Sequence, residues 1–194
     1  MPAPARNQVA MLKATEVCQR FEPSEESRRL LDEEAPVDRH LARLVDKGLY
    51  LDALQCMAHW LPKREAIWWG CLCIWKVARP EPAEKEAAAL QAAVRWVLEP
   101  NESNRRPSEA AGKAAGVEST EGCLATAVFC SGGSLSAPAL PEAAPPPFLY
   151  ATTLFASLRA AAILGQPDDQ PRAFRLFLQL GNEVASGENR WDNT

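Results

Sequence analysis

Cysteine and histidine are the residues of this chain with the clearest capacity for chemistry. Cys56 and His59 stand three residues apart, and both are of types that bind zinc. Cys71 and Cys73 follow and would complete a set of four ligands. This second pair argues against a shared ion, because residues two apart on a helix point about 200° away from each other. We therefore expect no bound metal and interpret these thiols as small apolar side chains of a core.

Nucleophilic catalysis would require a serine or cysteine beside a base, and His40 and His59 are the two histidines of the chain. Ser131 and Ser134 lie in the segment SGGS, which lacks the strand–turn–helix setting of a nucleophile elbow. The segment is not followed by Lys or Arg, so it does not match a phosphate-binding loop. We expect no catalytic residue and no cofactor. The alternative is an enzyme or metal-binding helical protein that uses its Cys and His residues.

A loop of unusual composition runs from Ser131 to Pro147 with the sequence SGGSLSAPALPEAAPPP. It contains two glycines and five prolines. A connection of this length without secondary structure is uncommon in a compact domain and is usually functional or disordered. The three consecutive prolines at its end favour a stiff, extended stretch. We predict a fixed surface loop that recognises a partner.

Tryptophans are concentrated in one part of the chain, with four of the six between residues 60 and 75. Trp68 and Trp69 are adjacent, so on a helix their side chains are offset by about 100°. One of them can then face the core while its neighbour lines a groove or contacts the loop. Burial of all four tryptophans in the core is the alternative.

Arg105 and Arg106 follow Asn104 and form the one compact basic group near a predicted helix start. They either balance Glu102 and Glu109 as surface charges or bind a carboxylate of an acidic partner, for which the arginine fork is suited. Together with the aromatic pair and the loop, they complete a predicted partner surface. Its members are Trp68, Trp69, Asn104, Arg105, Arg106, Ser131, Gly132, Gly133, Pro145, Pro146 and Pro147.

The elements that must position these residues are helices, because apolar residues recur at helical spacing and no alternating strand pattern occurs. Val37 to Leu61 predicts an antiparallel helical hairpin, and Pro107 predicts a short or kinked helix after Asn101. Lys63 to Val77 is apolar on nearly every side, so we expect it to be the central helix. The predicted fold is all-α, a single compact multi-helix domain of stacked antiparallel hairpins. The other predicted helices cover residues 83–98, 120–130, 148–164 and 169–186.

Composition divides the chain into three parts and argues against some classes of function. We predict a polar, weakly packed segment at residues 1–35, a helical domain at 36–188 that contains the loop, and a tail at 189–194. The net charge is −4 with Lys and Arg scattered, which argues against nucleic-acid binding. The longest apolar stretch is about 17 residues and carries Arg159, so we expect no membrane span. The start lacks a signal-peptide pattern, which favours a cytoplasmic protein with free thiols.

Four motifs carry a resemblance that extends from about Leu41 to Trp191. They are KREAIWWGCLC, LEPNESNRR, FCSGGSL and PPPFL. In this order they resemble an uncharacterised family of small all-helical bacterial proteins associated with type VI secretion gene clusters. The resemblance implies an accessory role in the cytoplasm, as an adaptor or chaperone that helps to load an effector or spike component. It assigns no catalytic residue, and an immunity-type protein that occludes a toxin belongs to the same binding class.

Overall fold

The computed structural model of the protein describes residues 12–77, 82–165 and 168–191. This part of the chain contains ten helices and no strand, which confirms the predicted all-α class. The predicted N-terminal segment is described from residue 12 onward and the predicted tail up to residue 191; the remainder of each lies outside the described residues. The helices are α1 (Ala14–Cys18), α2 (Glu25–Arg29), α3 (Val37–Asp46), α4 (Tyr50–Trp60), α5 (Lys63–Val77), α6 (Glu84–Leu98), α7 (Glu102–Ala115), α8 (Thr120–Phe129), α9 (Leu149–Gly165) and α10 (Gln170–Ser186).

Helix α5 lies at the centre of the fold, as its apolar circumference predicts. It packs against α6, α8, α9 and α10, and Ile67 and Trp69 are fully buried on it. Gly70 marks the closest approach of its neighbours. A Cβ at this position would lie 2.6 Å from Leu154 Cδ1 and 2.8 Å from Leu124 Cδ1. The absence of a side chain therefore lets α8 and α9 pack directly onto the backbone of α5.

Hydrogen bonds from two tryptophans tie α5 to the C-terminal part of the chain. Trp69 Nε1 donates to the carbonyl of Phe177 in α10 over 2.7 Å. Trp68 Nε1 donates to the carbonyl of Asn189 over 3.0 Å. Both indole rings are buried, and each satisfies its polar atom with backbone. The adjacent pair thus belongs to the core, because helices surround α5 on both of the sides to which these side chains point.

The N-terminal segment packs against the helical domain at α1 and at Ala35, whereas most of residues 19–34 are exposed or half-buried. Helix α1 contacts α3 and α4, and its Ala14 and Val17 are fully buried. The Ala14 amide donates to the Ala35 carbonyl over 2.9 Å, and the Val37 amide donates to the Leu12 carbonyl over 3.2 Å. The high average polarity of this segment conceals a few small apolar residues at positions that face the core.

Helix α7 continues through Pro107 for 14 residues, where the sequence predicts a short or kinked helix. The proline lies near the N-terminus of the helix, and its missing N–H affects only the carbonyl of Ser103. Ser103 is exposed, so water can bind that carbonyl. Further along, α7 meets α8 at two glycines. A Cβ on Gly122 would lie 3.0 Å from the carbonyl oxygen of Gly112, so the two backbones are in direct contact.

Candidate partner-binding loop

The loop of residues 131–147, here called the clamped loop, follows α8 and leads to α9. Two arginines at the start of α7 hold it in place. This end of α7 is itself well formed, because the Asn101 side chain accepts a hydrogen bond from the Asn104 amide over 2.9 Å. The Asn104 side chain donates to the Glu99 carbonyl over 2.9 Å. Asn104 therefore stabilises the start of α7, whereas the sequence predicts it as part of the partner surface.

Arg105 is buried, with 3% of its surface exposed, and it binds backbone within the protein. One terminal nitrogen, Nη1, donates to the Phe129 carbonyl over 2.5 Å. The other, Nη2, donates to the Ser134 carbonyl over 3.1 Å. The fork also binds the two carboxylate oxygens of Glu102, each over 2.6 Å. The contact with Glu102 corresponds to the alternative in which Arg105 balances this residue, and the buried guanidinium group is not available to a partner.

Arg106 extends the same arrangement toward the loop. It donates from Nη1 to the Ser136 carbonyl over 2.7 Å and from Nε to Glu102 over 2.9 Å. Glu102 thus lies between the two guanidinium groups. Hydrogen bonds from Arg105 and then from Arg106 lower the pKa of the Glu102 carboxyl to about 2. Near neutral pH the ionised carboxylate holds both arginines in the orientation that binds the loop.

The two glycines of the loop have different surroundings. Gly133 has a φ of +61°, and a Cβ there would lie 2.7 Å from Arg105 Nη2. The backbone therefore passes directly over the guanidinium group. Both the positive φ and this close approach favour glycine at residue 133. Gly132 has open space around the position of a Cβ. Ser131, also predicted to contact a partner, is buried, and its amide donates to the Val128 carbonyl at the end of α8.

A second set of hydrogen bonds closes the loop at its neck. The Ser134 hydroxyl oxygen accepts from the amides of Ser136 over 3.1 Å and of Ala143 over 3.0 Å. The Leu135 amide donates to the Ala143 carbonyl over 2.8 Å. Residues 134–136 are thus joined both to the arginines and to the returning chain. The loop is fixed by its own backbone, as the sequence predicts, and six residues protrude beyond the neck.

These six residues, 137–142, form the loop tip, and every one of them is exposed. Leu140 is 62% exposed, and prolines flank it at 138 and 141. The sequence analysis missed this leucine. A large apolar residue between two prolines in a loop of mostly small residues is the signal that could have identified it. Of the predicted proline contacts, Pro146 and Pro147 are exposed and Pro145 is half-buried.

The tryptophan part of the predicted surface is wrong, because Trp68 and Trp69 are both buried. The exposed tryptophan is Trp75, at 60%, near the end of α5. It lines a groove of about 390 Å³ together with Leu90 and Val94 of α6. The tryptophans are therefore distributed between core and surface, but the exposed member is not one of the adjacent pair.

The thiols that suggested a metal site lie in the core. Cys71 and Cys73 are fully buried, and burial raises the pKa of Cys71 to about 12. Within the described ranges, no group of three or more His, Cys, Asp or Glu side chains is arranged to hold a metal ion. A thiol that stays protonated is a poor ligand and a poor nucleophile, so this pair acts as packing.

None of the described helices is both long enough and apolar enough to cross a membrane. The fold and the clamped loop define an all-α protein with a long connection that is hydrogen-bonded at its neck and exposed at its tip. Its family can also be stated. The chain belongs to DUF6931, a family of unknown function whose profile matches residues 40–185, from within α3 to near the end of α10. Neither a curated protein nor a solved structure matches the chain.

Proposed function

We propose that this protein is a non-catalytic binding module and that its partner contacts the loop tip at residues 137–142. The observation that carries this proposal is the exposure of Leu140 on a loop whose neck is fixed by two arginines. When a partner covers a large apolar side chain that is exposed to water, the free energy of the complex is lowered. Because the loop is already ordered, little conformational entropy is lost on binding.

The remaining exposed features of the loop fit a protein partner better than a nucleic acid. Glu102 offsets one of the two arginine charges at its base, and both guanidinium groups are bound to carbonyls, so they offer little free cationic surface. The tip itself is apolar apart from Glu142. Apolar anchors that enter a pocket of the partner dominate the affinity of many protein interfaces.

The cellular role that we propose is that of an adaptor or chaperone in bacterial type VI secretion. Its support is the resemblance of the four sequence motifs, which also favours action in the cytoplasm on a spike or effector component. A toxin-neutralising role would use the same loop. The two roles differ in the identity of the partner, so one capture experiment separates them.

The test is affinity capture of the tagged full-length chain from its source bacterium, with identification of bound proteins by mass spectrometry. We expect a spike or effector component to be recovered with the wild type. Leu140→Asp should lose it, because a charge at the tip cannot enter an apolar pocket. Unfolding curves of both proteins should coincide, since Leu140 makes no core contact.

Val117→Asp is the matched control, because Val117 is 72% exposed and also apolar. It precedes α8, whereas the clamped loop follows this helix, which has ten residues and is about 15 Å long. This variant should retain the partner. Equal capture by all three proteins would contradict a role of the tip, and recovery of a toxin would replace the adaptor role with neutralisation.

A further inference from the structure

The groove beside Trp75 is an apolar surface that the proposed function does not use, and it is here called the Trp75 groove. Trp75 lies near the end of α5 and is 60% exposed. Leu90 and Val94 lie one turn apart on α6, line the same groove and are half-buried. The groove has a volume of about 390 Å³, within the range of clefts that bind ligands.

Two polar side chains of the Trp75 groove have no partner in the described part of the chain. The Trp75 indole N–H donates no hydrogen bond to a described residue, and the Arg95 guanidinium group forms no ion pair with one. Arg95 is exposed, and among the described residues that line the groove it is the one that carries a charge. Tryptophan and arginine are the residues most enriched at binding hot spots.

These side chains specify the chemistry of an occupant. Leu90 and Val94 fit an apolar side chain, and an exposed tryptophan suits the rings of a proline-rich segment. The arginine fork suits a carboxylate. The occupant is therefore an apolar, proline-flanked segment that carries an acidic residue.

The loop tip of this same chain has all of these features. Leu140 is 62% exposed, prolines flank it at 138 and 141, and the exposed Glu142 follows. The Leu140 amide donates to the Ala137 carbonyl over 2.9 Å and closes a turn, which holds the leucine at the surface. The Glu142 carboxylate has no partner among the described residues.

The spacing of the two sets of residues also agrees. Leu90 and Arg95 are five residues apart on α6, which corresponds to a rise of about 7.5 Å. Leu140 and Glu142 are two residues apart, and an extended chain covers at most about 7 Å over that distance. One tip can therefore make the apolar contact and the ion pair at the same time.

We propose that the loop tip of one copy of the protein binds the Trp75 groove of a second copy, with Glu142 paired to Arg95. The observation that carries this inference is the complementarity of two exposed surfaces, one apolar and cationic, the other apolar and anionic. The tip does not line the groove of its own chain, and the clamped neck holds it in place. The contact therefore joins two copies.

This association is head-to-tail and weak. Because the two surfaces differ, a pair of copies retains one free tip and one free groove, to which further copies can add. A stable interface involves about 20–30 residues on each side, so a contact made by a short tip belongs to the weak, transient class. The inference rests on the proposed binding role of the tip, and a partner at the tip competes with self-association.

The test is sedimentation velocity of the full-length chain from about 10 µM to about 1 mM, the range in which weak contacts form. We expect the average mass to rise with concentration. Leu140→Asp and Trp75→Ser should each shift this rise to a concentration at least about tenfold higher. Val117→Asp alters an exposed apolar residue outside both surfaces and should associate like the wild type. A wild type that stays monomeric, or variants that associate like it, would overturn the proposal.

A mixture of the two defective variants gives a sharper test, because each lacks a different side of the contact. Leu140→Asp keeps its groove and Trp75→Ser keeps its tip, so together they should form a closed pair although neither associates alone. Arg95→Glu and Glu142→Arg should likewise each weaken association and restore it when the two proteins are mixed. Mixtures that remain monomeric would contradict the assigned contact.

Trp75→Ser also separates this inference from the proposed function, because it leaves the tip unchanged. If the wild type is monomeric but both it and Trp75→Ser capture the partner, the self-contact is wrong and the partner role of the tip stands. If the chain self-associates through Leu140 but partner capture does not depend on this residue, the tip binds a second copy and not a cellular partner.

Discussion

At the scale of single residues, the clamped loop depends on the pairing of Arg105 with Gly133. The guanidinium group fills the space that a side chain at residue 133 would occupy. Its hydrogen bonds to two carbonyls give the loop a fixed position without any regular secondary structure. Because the arginine is buried, water does not compete strongly for these bonds.

Gly133→Ala should lower the free energy of unfolding by about 1–2 kcal/mol, because the new Cβ both strains a positive φ and displaces the guanidinium group. Gly132→Ala is the neighbouring control. Its Cβ meets no atom within 4 Å, so we expect a change of at most about 0.5 kcal/mol. Urea denaturation of the three proteins measures both values. Equal losses for the two variants would show that Arg105 does not constrain the loop.

At the scale of elements, α7 and the turn that follows it lie in direct backbone contact with α8. A Cβ on Gly122 would lie 2.1 Å from the carbonyl oxygen of Gly116 and 3.0 Å from that of Gly112. Both obstacles are backbone atoms, which do not move as a side chain does. This contact places the start of α7, and thus Arg105 and Arg106, beside the end of α8.

Gly122→Ala should therefore destabilise the protein by about 2–3 kcal/mol, since the two helices must separate to admit a methyl group. Cys123→Ala on the same helix is the control, and its half-buried side chain should cost at most about 1 kcal/mol. Thermal and urea unfolding provide the comparison. A stable Gly122→Ala protein would mean that the approach of the two backbones is not required.

The helices themselves could be predicted from sequence where the pattern is local. The predicted extent of α5, Lys63 to Val77, follows from an apolar run between prolines; in the structure the helix begins at Lys63 and continues through Val77, the last described residue before position 82. The burial of both Trp68 and Trp69 could not be predicted, because it depends on which helices surround α5. The hydrogen bonds from Arg105 to the clamped loop could not be predicted for a similar reason. Arg105 binds carbonyls 24 and 29 residues away, and a sequence does not reveal where those carbonyls point.

At the scale of the whole molecule, buried histidine makes folding sensitive to acid. His59 is fully buried, and its Nδ1 lies 2.8 Å from the Gln55 carbonyl, so Nδ1 carries the proton of the neutral ring. Its Nε2 has no hydrogen-bond partner among the described residues. Burial lowers the pKa of this imidazole below its ordinary value of 6.5. The folded protein therefore keeps His59 neutral at a pH where the unfolded chain binds a proton.

It follows that the free energy of unfolding decreases as the pH falls below 6.5, by up to about 1.4 kcal/mol per pH unit from this group. Above pH 6.5 the full contribution of the neutral, buried His59 to the free energy of unfolding is present. Urea denaturation at pH 7, 6 and 5 of the wild type and His59→Gln isolates it, because other groups titrate alike in both proteins. We expect a shallower pH dependence for His59→Gln. Parallel curves would show that His59 does not resist protonation.

The way in which Arg105 and Arg106 hold the clamped loop affects which of its residues can change in sequence. All three hydrogen bonds from Arg105 and Arg106 to the chain beyond α7 end on main-chain oxygens, at Phe129, Ser134 and Ser136. Every residue type supplies a main-chain oxygen, so the frame does not depend on which side chains the tip displays. Residues 137–142 can therefore be exchanged for others while the neck keeps its shape. For the binding role that we propose, this arrangement would allow new partner specificities to arise by substitution at the tip without refolding of the domain.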